Sequence, residues 1–177
     1  MNLDYKHLLD NTFHPESRVW IYQASRIFSM SEAFEIEDLL KEFTAQWKSH
    51  GTPVKGAGYL FFGQFIILIA DERATGVSGC STDSSVRLIK DIEQRFAVNM
   101  FDRTTLAFVV KDKSGIYRIQ MLPLSQLQYA ADNQFITGDT LYFNNLVLTK
   151  EELEKNWIVP VKESWLVKKV SFINTVS

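Results

Sequence analysis

The run Phe65-Ile66-Ile67-Leu68-Ile69-Ala70 ends in the two carboxylates Asp71-Glu72, and Gly79-Cys80-Ser81-Thr82-Asp83-Ser84-Ser85-Val86 follows after six intervening residues. A short unbroken apolar run of this kind reads as a buried strand. The small and hydroxyl-bearing residues after it read as a loop that opens a helix. Strand-to-helix loops of α/β chains often hold chemistry, because N–H groups at a helix start point at whatever lies before them. This segment is therefore where a functional site is first expected.

The surrounding pattern sets the fold class. Val19-Trp20-Ile21-Tyr22 is β-branched and aromatic, a first strand. Ser29 and Glu32 have capping-box spacing, and Ile36, Leu39, Leu40, Phe43 and Trp47 then form one apolar helical face that Gly51 and Pro53 terminate. Residues 59–62 and 65–70 read as a hairpin, with Gly63-Gln64 suited to a type II′ turn. A second helix is expected over 83–96, with Val86, Ile89, Ile92 and Phe96 inward. Thr104–Val110 and Ile116–Met121 form another hairpin. Pro123 opens a short helix, Leu141-Tyr142-Phe143 is a strand, and Thr149 with Glu152 caps a last helix ending near Trp157.

The result is an α+β fold in a single domain over 1–177, with an antiparallel or mixed sheet and helices mainly on one face. Residues 1–17 are a candidate N-terminal arm. The first six elements follow the βαββαβ order of a ferredoxin-like core, with C-terminal additions.

Charge narrows the partners. The 177 residues carry 19 basic against 21 acidic side chains, a net charge of −2. This balance gives no general attraction for nucleic acid or an anionic membrane. The longest apolar run is far short of the roughly 20 residues of a membrane helix. Residues 1–7 lack the basic start and apolar run of a signal peptide, and one cysteine cannot form an internal disulfide. A cytoplasmic protein is expected.

Three chemistries are open at the candidate site. Ser81, Thr82, Asp83, Ser84 and Ser85, with Gly79 before them, exceed the needs of one helix cap. Hydroxyls beside free N–H groups suit a phosphate or carboxylate, with Arg87 or Arg103 as counter-charge, although the Asp83 carboxylate competes for the same end. Cys80 is a small core filler or, if the helix start lowers its pKa from about 8.5 towards 7, a nucleophile that would want a base such as His14 or His50. Asp71, Glu72, Asp83 and Asp102 could gather around Mg²⁺, but no spacing motif supports it, and His7, His14 and His50 lack zinc spacing. No cofactor and no metal are expected. Trp157, Pro160 and Trp165 are a candidate aromatic patch for a protein partner, against the alternative of a tail docked into its own domain. No feature sets the oligomeric state.

Several blocks carry a resemblance: Val19–Gln23, Ser78–Val86, Phe101-Asp102-Arg103, Phe143–Val147 and the Trp157–Trp165 close. Together they resemble a family of small, uncharacterised proteins of Bacteroidetes-type bacteria, over most of the chain. Some members carry the label ABC transporter ATPase, which raises nucleotide hydrolysis as a further reading. The residues themselves lack its phosphate loop: Gly51 and Gly56 have the first spacing of G-x-x-x-x-G-K-[ST], but Ala57 and Gly58 stand where Lys and the hydroxyl belong. Val77-Ser78-Gly79-Cys80-Ser81 is only faintly similar to the transporter signature Leu-Ser-Gly-Gly-Gln. The leading expectation is a noncatalytic module that binds a small anionic molecule or a protein at 79–85. The rival is a thiol-dependent hydrolase or transferase using Cys80, and a nucleotide-binding ATPase ranks third.

Overall fold

The computed structural model describes residues 1–71, 73 and 79–172, with the side chains of 79–81 outside that description. The fold is α+β and its sheets are antiparallel. Two compact units divide it: an N-terminal unit, Asp4–Asp102 with Asn145–Glu154, and a C-terminal unit, Met1–Leu3, Arg103–Asn144 and Lys155–Ser177.

The N-terminal unit is built on β1 (Arg18–Gln23), α1 (Met30–Gln46), the hairpin β2 (Lys48–Ser49) and β3 (Thr52–Pro53), β4 (Lys55–Phe61), β5 (Phe65–Asp71) and α2 (Gly79–Phe96). Its sheet has the order β1-β5-β4, with Val19 opposite Ile69 and Tyr59 opposite Ile67. Every residue of β5 is buried. Ile66, Leu68 and Ala70 join Ile36 and Leu40 of α1 and Ile89 and Ile92 of α2 in one core. Each large apolar side chain of this kind contributes roughly 1.5–3 kcal/mol when fully buried, so this strand anchors the unit.

Local chemistry fixes the elements around it. The Ser29 hydroxyl accepts from the Glu32 N–H and the Glu32 carboxylate accepts from the Ser29 N–H, completing the expected capping box. Helix α1 ends before Trp47, and the β2–β3 hairpin turns on His50 and Gly51, both at positive φ (48° and 82°). The β4–β5 turn differs from expectation. Phe62 and Gly63 are its central residues, at φ 55° and 63°, and the Gln64 N–H donates to the Phe61 carbonyl at 3.0 Å. Two positive φ values define a type I′ turn, one residue earlier than the type II′ turn expected on Gly63-Gln64. Gln64 is instead a buried brace whose Nε2 donates to the Ala24 carbonyl. Within the expected arm, Tyr5, Leu9, Phe13 and Ser17 are buried at intervals of four residues, so the segment contributes to the core.

In the C-terminal unit, β6 (Thr105–Lys111) and β7 (Tyr117–Pro123) form a hairpin. Helix α3 (Leu127–Asp132), β8 (Leu141–Phe143) and β9 (Ile158–Pro160) complete a sheet of order β7-β6-β8-β9. Helix α4 (Lys150–Asn156) lies between β8 and β9 in sequence, and its residues through Glu154 belong to the N-terminal unit. Leu106, Phe108 and Tyr142 pack with Leu127, Ala130, Ala131 and Val161. The ferredoxin-like expectation fails here. The strand after α2 would have to join the first sheet, yet β7 and β8 occupy both edges of β6, while β1 pairs antiparallel with β5. Trp157 is fully buried with its ring edge-on to Phe143, so it is a core residue of this unit and no part of an exposed patch. Among the described residues, no helix is long and apolar enough to cross a membrane.

Candidate functional site

Helix α2 begins at Gly79, four residues before the expected start. Gly79, Cys80 and Ser81 thus stand in its first turn, with side chains outside the described residues, and Glu72 and 74–78 also lie outside them. Thr82–Ser85 are inside the helix, so they do not form a capping loop. Ser85 is fully buried and takes a place on the apolar face beside Ile89 and Ile92, while Val86 is only half-buried. Its hydroxyl donates to the Thr82 carbonyl at 2.7 Å, which offsets the cost of burying it. Thr82 and Ser84 are half-buried, and Asp83 and Arg87 are exposed. Arg103 is exposed and belongs to the C-terminal unit.

Several other sequence candidates have structural partners. Asp71 accepts both from Nε of Arg73 (2.9 Å) and from its Nη2 (2.6 Å), and this guanidinium holds its pKa down to about 2. His14 lies 3.8 Å from Glu16, and its Nδ1 accepts from the Glu16 N–H. The Asn145 side chain donates to Gln23 and that of Asn144 to the Asn156 carbonyl, so both asparagines tie segments together. Among the described residues, no three His, Cys, Asp or Glu side chains gather as a metal site.

The larger concave surfaces lie elsewhere, on the C-terminal unit, while a smaller one of about 290 Å³ on the N-terminal unit is lined by Leu8, Glu37, Lys41 and residues 58–61. A groove of about 440 Å³ has Phe108 and Val110 of β6 and Gln120 and Leu122 of β7 in its floor. Gln126, Tyr129, Ala130, Gln134, Phe135, Ile136 and Lys111 complete the lining, with Ala130 and Ile136 themselves buried. Phe108 and Gln120 are directly opposed in the sheet, so both point from the same face. A second cavity of about 640 Å³ shares Val110, Lys111, Gln134 and Phe135 and adds Met1–Leu3, Tyr117 and Thr137–Leu141 apart from Gly138.

The end of α3 builds the rim. Gln134 sits at φ 57°, its N–H donates to the Ala131 carbonyl, and the Phe135 N–H reaches back to Ala130 at 2.8 Å. These two bonds are a Schellman termination, with glutamine where glycine is usual. The sharp reversal leaves Phe135 beside Tyr129, ring centroids 6.5 Å apart, and both side chains are about two-thirds exposed (66% and 65%). A left-handed residue other than glycine costs about 1–2 kcal/mol, so the surrounding packing must hold this turn. The groove has no signal in the sequence, because its aromatic pair is formed by a helix and the residue after its end, and no glycine marks the reversal.

No family model, curated protein or solved structure matches the chain.

Proposed function

We propose that this protein is a noncatalytic binding module, and that its ligand site is the groove between the β6–β7 face and α3. One observation carries the reading: a concavity within the usual size range of small-ligand sites, with Phe108, Val110 and Leu122 as apolar lining beside three glutamines. Lys111 and Tyr129 are the titratable side chains of its lining, which among the described residues offers polar recognition but no thiol, carboxylate or imidazole to drive a reaction. The amides of Gln120, Gln126 and Gln134 each present donors and an acceptor, suited to reading polar substituents of a bound molecule.

An aromatic fragment library followed by backbone amide NMR tests this. Shifts are expected to cluster on Phe108–Lys111, Gln120–Leu122 and Gln126–Ile136. A cluster on 79–87, or on the start of α1, would overturn the assignment.

A second reading rests on where α2 starts. Cys80 stands in the first turn of an 18-residue helix, where a thiolate is favoured by the helix dipole. In this reading the chain is a thiol-dependent hydrolase or transferase. Iodoacetamide modification that rises with an apparent pKa well below about 8.5 supports it. Modification only on unfolding removes it.

A further inference from the structure

Beyond the groove of the C-terminal unit, we propose that the free edge of β4 in the N-terminal unit is a strand-addition site. Its partner is an extended segment of another protein, added antiparallel, in which basic and apolar residues alternate. Hydrogen-bond parity places the unpaired backbone groups. The Ala24 N–H donates to the Gln64 carbonyl at 2.8 Å, one step beyond the Gln23–Phe65 pair of the β1–β5 register. Alternate residues of an antiparallel strand bond to opposite sides. Residues 64, 66, 68 and 70 therefore turn to β1, while 65, 67, 69 and 71 turn to β4, where their partners are Phe61, Tyr59, Ala57 and Lys55. The Val19 N–H, which donates away from β5 to the Leu148 carbonyl, obeys the same parity. The N–H and C=O groups of Gly56, Gly58 and Leu60 are left on the outer edge of β4, beyond which the sheet has no further strand. An unpaired edge of this kind accepts another strand through its main chain.

Two walls make a slot of this edge. On one face α1 packs close, since a Cβ added at Gly58 would lie 3.1 Å from the Cβ of Leu40. On the other face the N-terminal segment is tied to β4. There the Asp10 N–H donates to the Tyr59 hydroxyl at 3.1 Å, the Lys55 ammonium donates to the Thr12 carbonyl at 2.6 Å, and Tyr5 packs on Phe61. The concavity of about 290 Å³ lined by Leu8, Glu37, Lys41 and residues 58–61 lies at this edge. Side chains of an added strand would point alternately to the two faces. The face of Tyr59 and Phe61, with the exposed Leu8, is apolar and aromatic. The α1 face is acidic, because that helix carries five acidic side chains against one basic. Glu32 is paired with Arg26, Glu35 with Arg95 and Asp38 with Lys41. The Glu37 carboxylate is left in the lining with no ion-pair partner among the described residues. A basic residue towards α1 and an apolar one towards Leu8 complement these walls. A second copy of this chain does not. Antiparallel pairing of two β4 edges sets both α1 helices on one face of the joined sheet, acid against acid.

The probe is an acetylated and amidated hexapeptide of alternating lysine and valine, titrated into the full chain by backbone amide NMR. Saturable binding is expected, with shifts concentrated on 37–41 and 58–61. In antiparallel addition the residue opposite Gly58 or Leu60 shares its face and exchanges both bonds with it, so the lysine amides would bond to β4. N-methylation of the lysine amides should abolish binding, and N-methylation of the valine amides should leave it within about twofold. Glu37→Lys should weaken the parent peptide about two- to fivefold. Glu42→Lys, on the same helix but outside the lining, should change it by less than about twofold. Equal binding of the two methylated peptides would overturn strand addition, and loss with the valine version alone would overturn the antiparallel placement of basic residues against α1. Equal weakening by both charge variants, or undiminished binding with glutamate in place of lysine, would overturn the basic class. No saturable binding, shifts confined to 117–121, or self-association of the free chain through 58–61 would overturn the site or its occupant.

Discussion

Strands β5 and β7 are each seven residues long and each pairs antiparallel with a hairpin partner, yet they occupy opposite environments. The former has a neighbour on both edges and no exposed residue, the latter lies at a sheet edge with four of its seven residues exposed. Their compositions match these places. Phe65-Ile66-Ile67-Leu68-Ile69-Ala70 is apolar at every position, whereas Tyr117-Arg118-Ile119-Gln120-Met121-Leu122 interleaves polar groups. A strand closed on both edges and both faces has no surface left to offer. At a sheet edge only partly covered by a short helix, packing stops early and leaves a concavity. The fully enclosed strand and the larger concave surfaces thus belong to different units of this chain.

The contrast is broken or sharpened most strongly by a pair of truncations. Leu68→Ala removes a fully buried side chain and is expected to cost about 2–5 kcal/mol in urea unfolding. Gln120→Ala, on the exposed strand, should stay within about 0.5 kcal/mol while altering ligand preference. Comparable losses from the two would show that β7 carries as much of the packing energy as β5, and the separation would fail.

Glycine substitutions extend the comparison at a smaller scale. At Gly56 of β4 an added Cβ would lie 2.5 Å from Cε3 of Trp47, whose ring is itself buried and cannot swing aside. Gly56→Ala is expected to cost about 1–3 kcal/mol by overpacking. At Gly138 of the C-terminal unit the same Cβ meets the Cβ of Lys162 at an ordinary 3.5 Å. Gly138→Ala should therefore be within about 0.5 kcal/mol of the parent protein. Urea midpoints of the two variants decide it, and equal costs would refute the difference in packing density.

What could be read ahead of the structure follows the same division. The β5 run, the Ser29–Glu32 box and the Ile36–Leu40 face are local signals, and all are present as expected. The assignment of β6 to a second sheet is not local, since it depends on which strand wins each of its edges. Ser85 reads as polar in the sequence and is buried in the structure, because a hydroxyl that bonds back to the Thr82 carbonyl no longer needs water. The groove was illegible for a related reason. Tyr129 and Phe135 are six residues apart, and only a reversal at Gln134 makes them neighbours, at a position where the sequence has no glycine to announce it.

Helix capping gives the next effect in size. Ser29→Ala removes the acceptor for the Glu32 N–H and should cost about 1 kcal/mol, within the usual range for a lost N-cap. Ser29→Asp should restore most of it. In the C-terminal unit, α3 has no side-chain cap at its N-terminus, so Gln126→Ala carries no such penalty. A loss from Gln126→Ala as large as that from Ser29→Ala would mean that α3 is held at its start by something other than packing.

The smallest effect is one of pH, and its sign can be worked out at Glu32. This carboxylate accepts 2.8 Å bonds from both terminal nitrogens of Arg26 and a 2.7 Å bond from the Ser29 N–H. With Arg26 as the largest cause, its pKa falls from 4.5 to about 2. A folded-state pKa below the unfolded one means that the native state holds the proton less tightly. The contribution is thus complete above about pH 4.5 and is lost as the pH falls through about 2. Asp71, held down to about 2 by Arg73, adds a slope of the same sign over the window below its ordinary 3.8. Glu32→Gln should accordingly be less stable than the parent at neutral pH and converge with it as the pH approaches 2. Urea midpoints of the two proteins across this range give the test. Parallel curves would show that Glu32 caps α1 through geometry alone, with no share of the acid response, and would leave Asp71 and Asp10, whose pKa values are also lowered, to couple the N-terminal unit to pH.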